Sequence, residues 1–388
     1  MSGRIPDWAD WHATEPYTLG VEEEVMLLNP HDWSLAQQVD RVTNAVHPHV
    51  QDHVGSETQR SVVELQTGPH PTAGELGDEL ILLRRMLEAE LDSFGLRAAS
   101  AGTHPSTVWQ ETVVSSGEHY REIYGSMREL ARREPTFALH VHVGVPDPEE
   151  AIGLFNRMRG HLPTLLALST NSPFWQGRDT GLASARTPLF QAFPRVGIPR
   201  TFRDYEDWSG TVDLLVRSAA FPDPSFIWWD IRPQPMFGTI EVRICDAQMR
   251  IEDSVAIAAL VQSIARLEIE EGYVDGRLAA AMEVLDENRF IAARDGMKAD
   301  LIDLHRECRR PARELFAELL DAIRPHAEDL GCVGELEHAA ALAERTGAER
   351  QLELARGPKR LEGLVEALAD EFTPEPQAEP SSRANRAA

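Results

Sequence analysis

Apolar residues alternate with polar ones in short runs through the first part of the chain, and recur at helical spacing from about residue 250 onward. The stretch YTLGVEEEVMLLNP, Tyr17 to Pro30, reads as a strand with Leu19, Val21, Val25, Leu27 and Leu28 for packing. Segment 75–94 places Leu76, Leu80, Leu83, Leu87, Leu91 and Phe94 on one helical face. Residues 97–104 suit a short strand of small residues, and 137–145 alternate with period two. Pro146, Asp147 and Pro148 then open a helix expected to run to about Ser169. Residues 171–210 read as a long loop, and its aromatic side chains argue for order. Segments 226–233 and 239–245, joined by QPMFG, predict an antiparallel hairpin. Helices are expected at 253–271, 274–285 and 300–323, with two more to about Glu371. The organisation predicted is a lead-in at 1–16, one domain at 17–371 and a disordered tail at 372–388. Strands that precede a helical C-terminal third favour an α+β fold, with a large antiparallel or mixed sheet covered by helices on one face.

Three glutamates interrupt the first strand. Residues two apart share a face, so Glu22 and Glu24 point one way and Glu23 the other, which is read as outward. A solvated face would explain one such pair, but other strands repeat the pattern. Glu64 sits among Val62, Val63 and Leu65, with Glu57 seven residues upstream. Glu241 and Arg243 share a face between Ile240, Val242 and Ile244. His140 and His142 alternate with apolar residues, and Asp230 and Arg232 are expected on a common face. Together these strands imply a sheet face lined by Glu, His and Arg. Burying unpaired carboxylates costs several kcal/mol, roughly, unless cations or hydrogen bonds compensate. Oxygen-rich donors with imidazole and no thiolate suit hard divalent ions, magnesium or manganese, and several arginines beside them suit a nucleoside triphosphate held by two or three metals.

The net charge of −25 over 388 residues makes nucleic acid and anionic membranes poor partners. Lys298 and Lys359 are the only lysines, so no glycine-rich loop ending in Lys-Ser or Lys-Thr exists, and phosphates would have to be held by arginine and metal. Cys245, Cys308 and Cys332 form no close pair, giving neither zinc spacing nor a disulfide framework. With no signal peptide or membrane-length apolar run, the expected location is cytoplasmic.

The motifs YTLGVEEEVMLLNP, SVVELQTGPHP, AGTHP, HVHVG, LPTLLALSTNSPFWQGRDTGLASAR, IWWDIRP and GTIEVRICD resemble the type 2 glutamate–cysteine ligase family, and within it the YbdK-type carboxylate–amine ligases. The resemblance runs in consistent order over about residues 17 to 300. It implies a glutamine synthetase-like catalytic fold, a curved, mostly antiparallel sheet forming a funnel with helices outside. It implies ATP and two or three magnesium ions on the inner face, with manganese as the substitute. By the same resemblance Glu22, Glu24, Glu57, Glu64, His142 and Glu241 are metal ligands, and Arg232 and Arg243 act on the transferring phosphoryl group. His142, Arg232 and Arg243 also contact the nucleotide. The implied activity joins a small carboxylate, glutamate-like, to an amine through an acyl phosphate. The amine is not identified, and a homo-oligomer is compatible with the chain.

Two other classes fit the same residues. A zinc-dependent hydrolase would use His140 and His142 and need no ATP. A phosphotransferase on the same fold would release no free phosphate. In the 171–210 loop, Arg178, Arg186, Arg195 and Arg200 are available to hold a substrate carboxylate, whereas Trp228 and Trp229 read as packing residues.

Overall fold

The computed structural model describes residues 5–133, 135–356 and 361–373. Its centre is a seven-stranded sheet built from β1 (Leu19–Leu28), β2 (Val54–Ser56), β3 (Val62–Gln66), β4 (Arg97–Ala99), β5 (Ala138–Gly144), β6 (Ile231–Gln234) and β7 (Thr239–Asp246). The strand order is β6-β7-β5-β1-β3-β2, with β4 pairing the far end of β1. Every pairing in this sheet is antiparallel, and the sheet is open.

The alternation read from sequence is what builds the two faces. On one face Val21, Val25, Val63, Leu65, Leu139, Val141, Val143, Ile240 and Val242 are buried. Helices cover this side: α1 (Ala73–Phe94), α2 (Pro148–Met158), α3 (Leu162–Ser169) and α4 (Ile251–Glu270). Thr72 caps α1 by accepting from the Glu75 amide, and Gly95 ends it at φ 69°. The helix expected from Pro148 to Ser169 is broken at Arg159–His161 into α2 and α3.

Glu23 is the main correction. It is not outward-facing in water but fully buried on the helix side of β1. Arg84 of α1 meets it with two parallel hydrogen bonds of 2.8 Å, and Ser254 of α4 donates a third at 2.5 Å. The Arg84 guanidinium also donates to the carbonyls of Gln248, Met249 and Phe372. All its donors are thus satisfied in a dry interior, which burying a charge requires. Phe372 packs beneath that guanidinium, 4.6 Å from it, so the packed chain continues at least through Phe372. The remainder of the expected tail, 374–388, lies outside the described residues.

Two elements differ from the sequence pattern. Residues 300–311 form a hairpin, Asp300–Asp303 with Cys308–Pro311, ahead of a helix at Ala312–Leu330, where one continuous helix was expected. The turn is organised by Asp303, which accepts from the amides of His305 and Arg306, and by Glu307 at φ 51°. No glycine marks that left-handed position, so the usual signal was missing. The 171–210 loop contains a short helix at Arg186–Phe190 and the start of another at Tyr205–Arg217.

The β6 edge is guarded. Pro233 and Pro235 lack amide protons there, and the N-terminal segment crosses the β6–β7 turn through His12 N–H to Pro235 O at 2.9 Å. Gly238 has φ 61°, and a side chain there would collide with the His12 carbonyl.

Because Arg84 is the only described charged partner of a carboxylate buried behind the polar face, Glu23→Gln and Arg84→Met should each destabilise the fold by roughly 3–5 kcal/mol. Urea unfolding monitored by circular dichroism would measure this, and a loss under 1 kcal/mol, roughly, would contradict the assignment.

Candidate functional site

The opposite face of the sheet carries the polar row, and strand register assembles it. Glu22 pairs across from His140 and Gln66, Glu24 from Glu64, Glu241 from His142, and Arg232 from Glu241. Every one of these side chains therefore projects from the same side. Glu57 lies outside this pairing. It follows β2, where Ser115 holds the connection by bonding to its carbonyl, and it reaches the row from the β2–β3 turn. Between Val242 and Cys245 the β7–β5 register shifts, and this bulge sits where Arg243 faces His140. A bulge of this kind re-aims a side chain beside a site.

Three donor groups result, each with ligand atoms within 4.8 Å of one another: Glu22–Glu64–His140, Glu22–His142–Glu241 and Glu24–Glu57–Glu64. Glu22 and Glu64 each belong to two groups, so the positions adjoin. All six sequence-predicted metal ligands are brought together. His140 was missing from that set, although it lies 3.0 Å from Glu22, 3.7 Å from Glu241 and 3.9 Å from Glu24. Its place opposite Glu22 in the HVH alternation was the available signal.

Glu241 is fully buried and accepts from Arg232 at 2.5 Å, from Gln234 at 2.7 Å and from Arg243. Burial opposes its ionisation, but the two guanidiniums outweigh that and hold its carboxyl far below the usual range. Burial likewise opposes ionisation of Glu22, yet His140 and His142 keep it well below normal. Two other carboxylates go the opposite way. Burial, reinforced by Glu57, pushes Glu24 up to about 8. Burial together with Glu22 and Glu57 raises Glu64 well above normal. Burial and the Arg243 charge lower His140 to about 4, leaving a neutral imidazole. His142 bonds Thr239 through Nδ1 at 2.9 Å, and its buried Nε2 lies 3.4 Å from a Glu22 carboxylate oxygen without a well-aligned hydrogen bond. A ring nitrogen turned toward carboxylates, with oxygen donors and no thiolate, fits a hard divalent cation.

Other expectations divide. Arg232 is fully engaged, with Ile227 O at 3.0 Å as well as Glu241, whereas Arg243 keeps a buried Nε without a partner. Asp230 does not share the row with Arg232; it pairs with Arg289 at 2.5 Å, because it lies before β6 rather than within it. Of the loop arginines, Arg186 alone reaches the row. It donates to the Ile244 and Arg243 carbonyls at 3.0 and 3.1 Å, and its buried Nε is unpartnered. Arg178 is exposed, Arg195 bonds Phe226 O and Arg200 pairs with Asp207. Arg186 and Arg243 line one small cavity with Glu24, Glu57, Phe190 and Phe193. Sequence reading also missed Asp246, which ends β7 and accepts from the Asn171 amide, Ser172 and Ser184 at 2.7–2.9 Å, tying down the segment that carries Arg186. Trp228 packs against Phe226 and Phe193, as expected.

This α+β architecture, an open antiparallel sheet with helices behind and a polar row in front, is the fold seen in a solved glutamate–cysteine ligase. It superposes on the glutamate–cysteine ligase of Francisella tularensis, solved with AMP, with a TM-score of 0.68 at 13% identity, covering 93% of this chain and 90% of that one. A bifunctional glutathione synthetase of Pasteurella multocida gives 0.65 at 12% identity, over 92% of this chain and 53% of that one. The chain belongs to the glutamate–cysteine ligase family 2, whose model matches residues 18–371. Relatives carrying the provisional name glutamate–cysteine ligase 2 include one of Sorangium cellulosum, 38% identical over 92% of this chain and 96% of its own length. Another, numbered 2-1, from Rubrobacter xylanophilus, is 37% identical over 94% and 97%. Among the described residues no helix is long and apolar enough to cross a membrane.

The raised carboxyls set a pH dependence. A carboxyl whose folded pKa lies above its unfolded value stabilises the fold when protonated, and that contribution is lost as pH rises through the folded value. Without divalent ions, the melting temperature should therefore fall as pH rises from 5 to above 8, roughly, the upper bound following Glu24 at about 8. Scanning calorimetry in chelator would show this fall, and magnesium should flatten it by holding both carboxylates ionised. Glu24→Gln should reduce the slope in chelator.

Proposed function

We propose that this chain is an ATP-dependent carboxylate–amine ligase that activates a glutamate-like carboxylate, at its γ-carboxyl, as an acyl phosphate before an amine displaces the phosphate. The observation that carries this reading is the chain of three adjoining donor groups linked through Glu22 and Glu64. A single structural ion needs one such group; a triphosphate meeting a second anion calls for several. Magnesium or manganese, when bound, supplies charge neutralisation between phosphate oxygens and the incoming carboxylate.

The chain's own residues do the rest. Glu22, Glu24, Glu57, Glu64, His140, His142 and Glu241 hold the cations. Arg243 offers its free Nε to developing charge on the phosphoryl group or carbonyl oxygen. Arg232 holds Glu241 ionised and in place. Arg186, fixed by two carbonyls and with a donor to spare, binds the substrate carboxylate in the small cavity it lines with Arg243. His140 and His142 fall into different donor groups rather than converging on one ion, which favours this reading over a zinc hydrolase.

The test is direct. Protein, ATP, magnesium and glutamate are incubated with a panel of amines, and phosphate and new amides are measured. Phosphate and amide should appear in equal amounts. ATP consumption with no amide, or amide hydrolysis without ATP, would overturn the reading.

Two variants sharpen it. Glu57 faces carboxylates and no described cation within ion-pairing distance, so Glu57→Gln should raise metal-free stability while lowering turnover by ~100-fold or more. Arg186→Met should raise KM for the carboxylate by ~10-fold or more with a smaller effect on KM for ATP. Steady-state kinetics with each substrate varied separately would distinguish these outcomes.

A further inference from the structure

Strand register places every donor of the polar row except Glu57, which lies one residue past the last paired position of β2. A segment distant in sequence holds it instead. Three consecutive carbonyls, those of Ser56, Glu57 and Thr58, each accept a hydrogen bond from residues 115–120. The Tyr120 hydroxyl donates to Ser56 O, the Ser115 hydroxyl to Glu57 O at 2.5 Å and the Ser115 amide to Thr58 O at 2.9 Å. The first two carbonyls belong to the peptide planes on either side of the Glu57 Cα, so both of its backbone torsions are held. Its carboxylate accepts from the Thr58 amide at 3.0 Å and has an oxygen within 4.8 Å of ligand atoms of Glu24 and Glu64.

The segment is itself anchored on two sides. Beside the turn, the Arg60 amide donates to Val113 O and the Gln59 side chain to Ala131 O, both at 2.8 Å. Tyr120 belongs to a helix at Glu118–Met127, whose Ile123 and Met127 are buried. The ring of His119, on the same helix, meets Phe226 edge to face at 5.2 Å. Phe226 leads into β6, and β6 and β2 are the two ends of the strand order. The helix therefore touches both ends of the open sheet. Burial and the Glu57 charge push the Tyr120 hydroxyl up to about 12, so it stays a protonated donor. Repulsion from Glu24 and Glu64 would drive Glu57 out toward water if its backbone were free. Clamped peptide planes oppose that, as the supporting shell of a ligand must.

We propose that Tyr120 and Ser115 are positioning residues that hold Glu57 in the Glu24–Glu57–Glu64 group and thereby set the affinity of that group for a divalent cation. That this cation serves amide formation rests on the ligase function proposed above.

Binding is read first, without turnover. Manganese alone is titrated into the full chain in ~0.15 M KCl, which screens scattered surface carboxylates, and the free ion is measured by electron paramagnetic resonance. The wild type should bind more than one ion. Tyr120→Phe keeps the ring and removes the hydroxyl; it should weaken one ion by ~10-fold or more and leave the others unchanged. Ser115→Ala should weaken the same ion, and it carries the test if Tyr120→Phe does not fold. Glu57→Gln should also weaken that ion, and adding Tyr120→Phe to it should change nothing further. Melting temperatures in chelator separate this from a merely structural role. A lowered melting temperature with unchanged manganese affinity in both variants overturns the proposal, as do Tyr120→Phe and Glu57→Gln effects that simply add. Amide formation is then followed at varied magnesium. Tyr120→Phe should raise the magnesium needed for half-maximal turnover by ~10-fold or more, with excess magnesium restoring the rate. A selectively weakened manganese site with no amide or phosphate from the wild type leaves the clamp standing and removes the ligase reading. Amide formation with equal manganese binding in the wild type and both variants does the opposite.

Discussion

The structure depends on one strand having to serve two incompatible environments. β1 presents Glu22 and Glu24 to the polar row and Glu23 to the dry space beneath α1 and α4. A register slip of one residue would exchange them along with Val21 and Val25, and the bidentate Arg84 contact behind the sheet adds to the cost of that exchange. The buried pair gives little net stability when compared with an apolar substitute, but it fixes register, the best-attested use of such groups. Because β1 is hydrogen-bonded to β3, β4 and β5, the alignment of Glu64, His140 and His142 follows from it.

The row itself is under internal tension. Its carboxylates occupy a space where burial and mutual repulsion disfavour ionisation, and the arginines are unevenly distributed. Glu241 has two and remains ionised, while Glu24 and Glu64 are pushed toward the protonated form. The row is thus compensated by protons at one end and by arginine at the other. That asymmetry divides the row into a part whose carboxylates lack a cationic partner of their own and a part compensated by arginine.

Much of this was legible in the sequence because period-two alternation is an unambiguous geometric code. The front-face positions of Glu22, Glu24, Glu64, His142, Glu241, Arg232 and Arg243 followed from it. What alternation cannot supply is the identity of a partner across space. Glu23 was assigned to the correct face and the wrong environment, because nothing local announces an arginine sixty-one residues away on a helix. Glu57 sits in a turn, where parity stops applying, and Asp230 lies just outside the strand whose parity it was given. Asp246 fell just past the strand read at 239–245, and the amide and two serines that bond it come from a distant loop. The 300–311 hairpin escaped because its turn uses Asp303 and Glu307 in place of glycine.

The strapped edge of the sheet bears on how the protein behaves at high concentration. An open antiparallel sheet offers its terminal strand as a template for copies of itself, the first step toward ordered aggregates. With Pro233, Pro235 and the crossing at His12 in place, that template is withheld only after the His12 segment has docked. Since His12 leaves the ribosome more than two hundred residues ahead of Pro233 and Pro235, the nascent chain carries the guard long before the edge it protects exists.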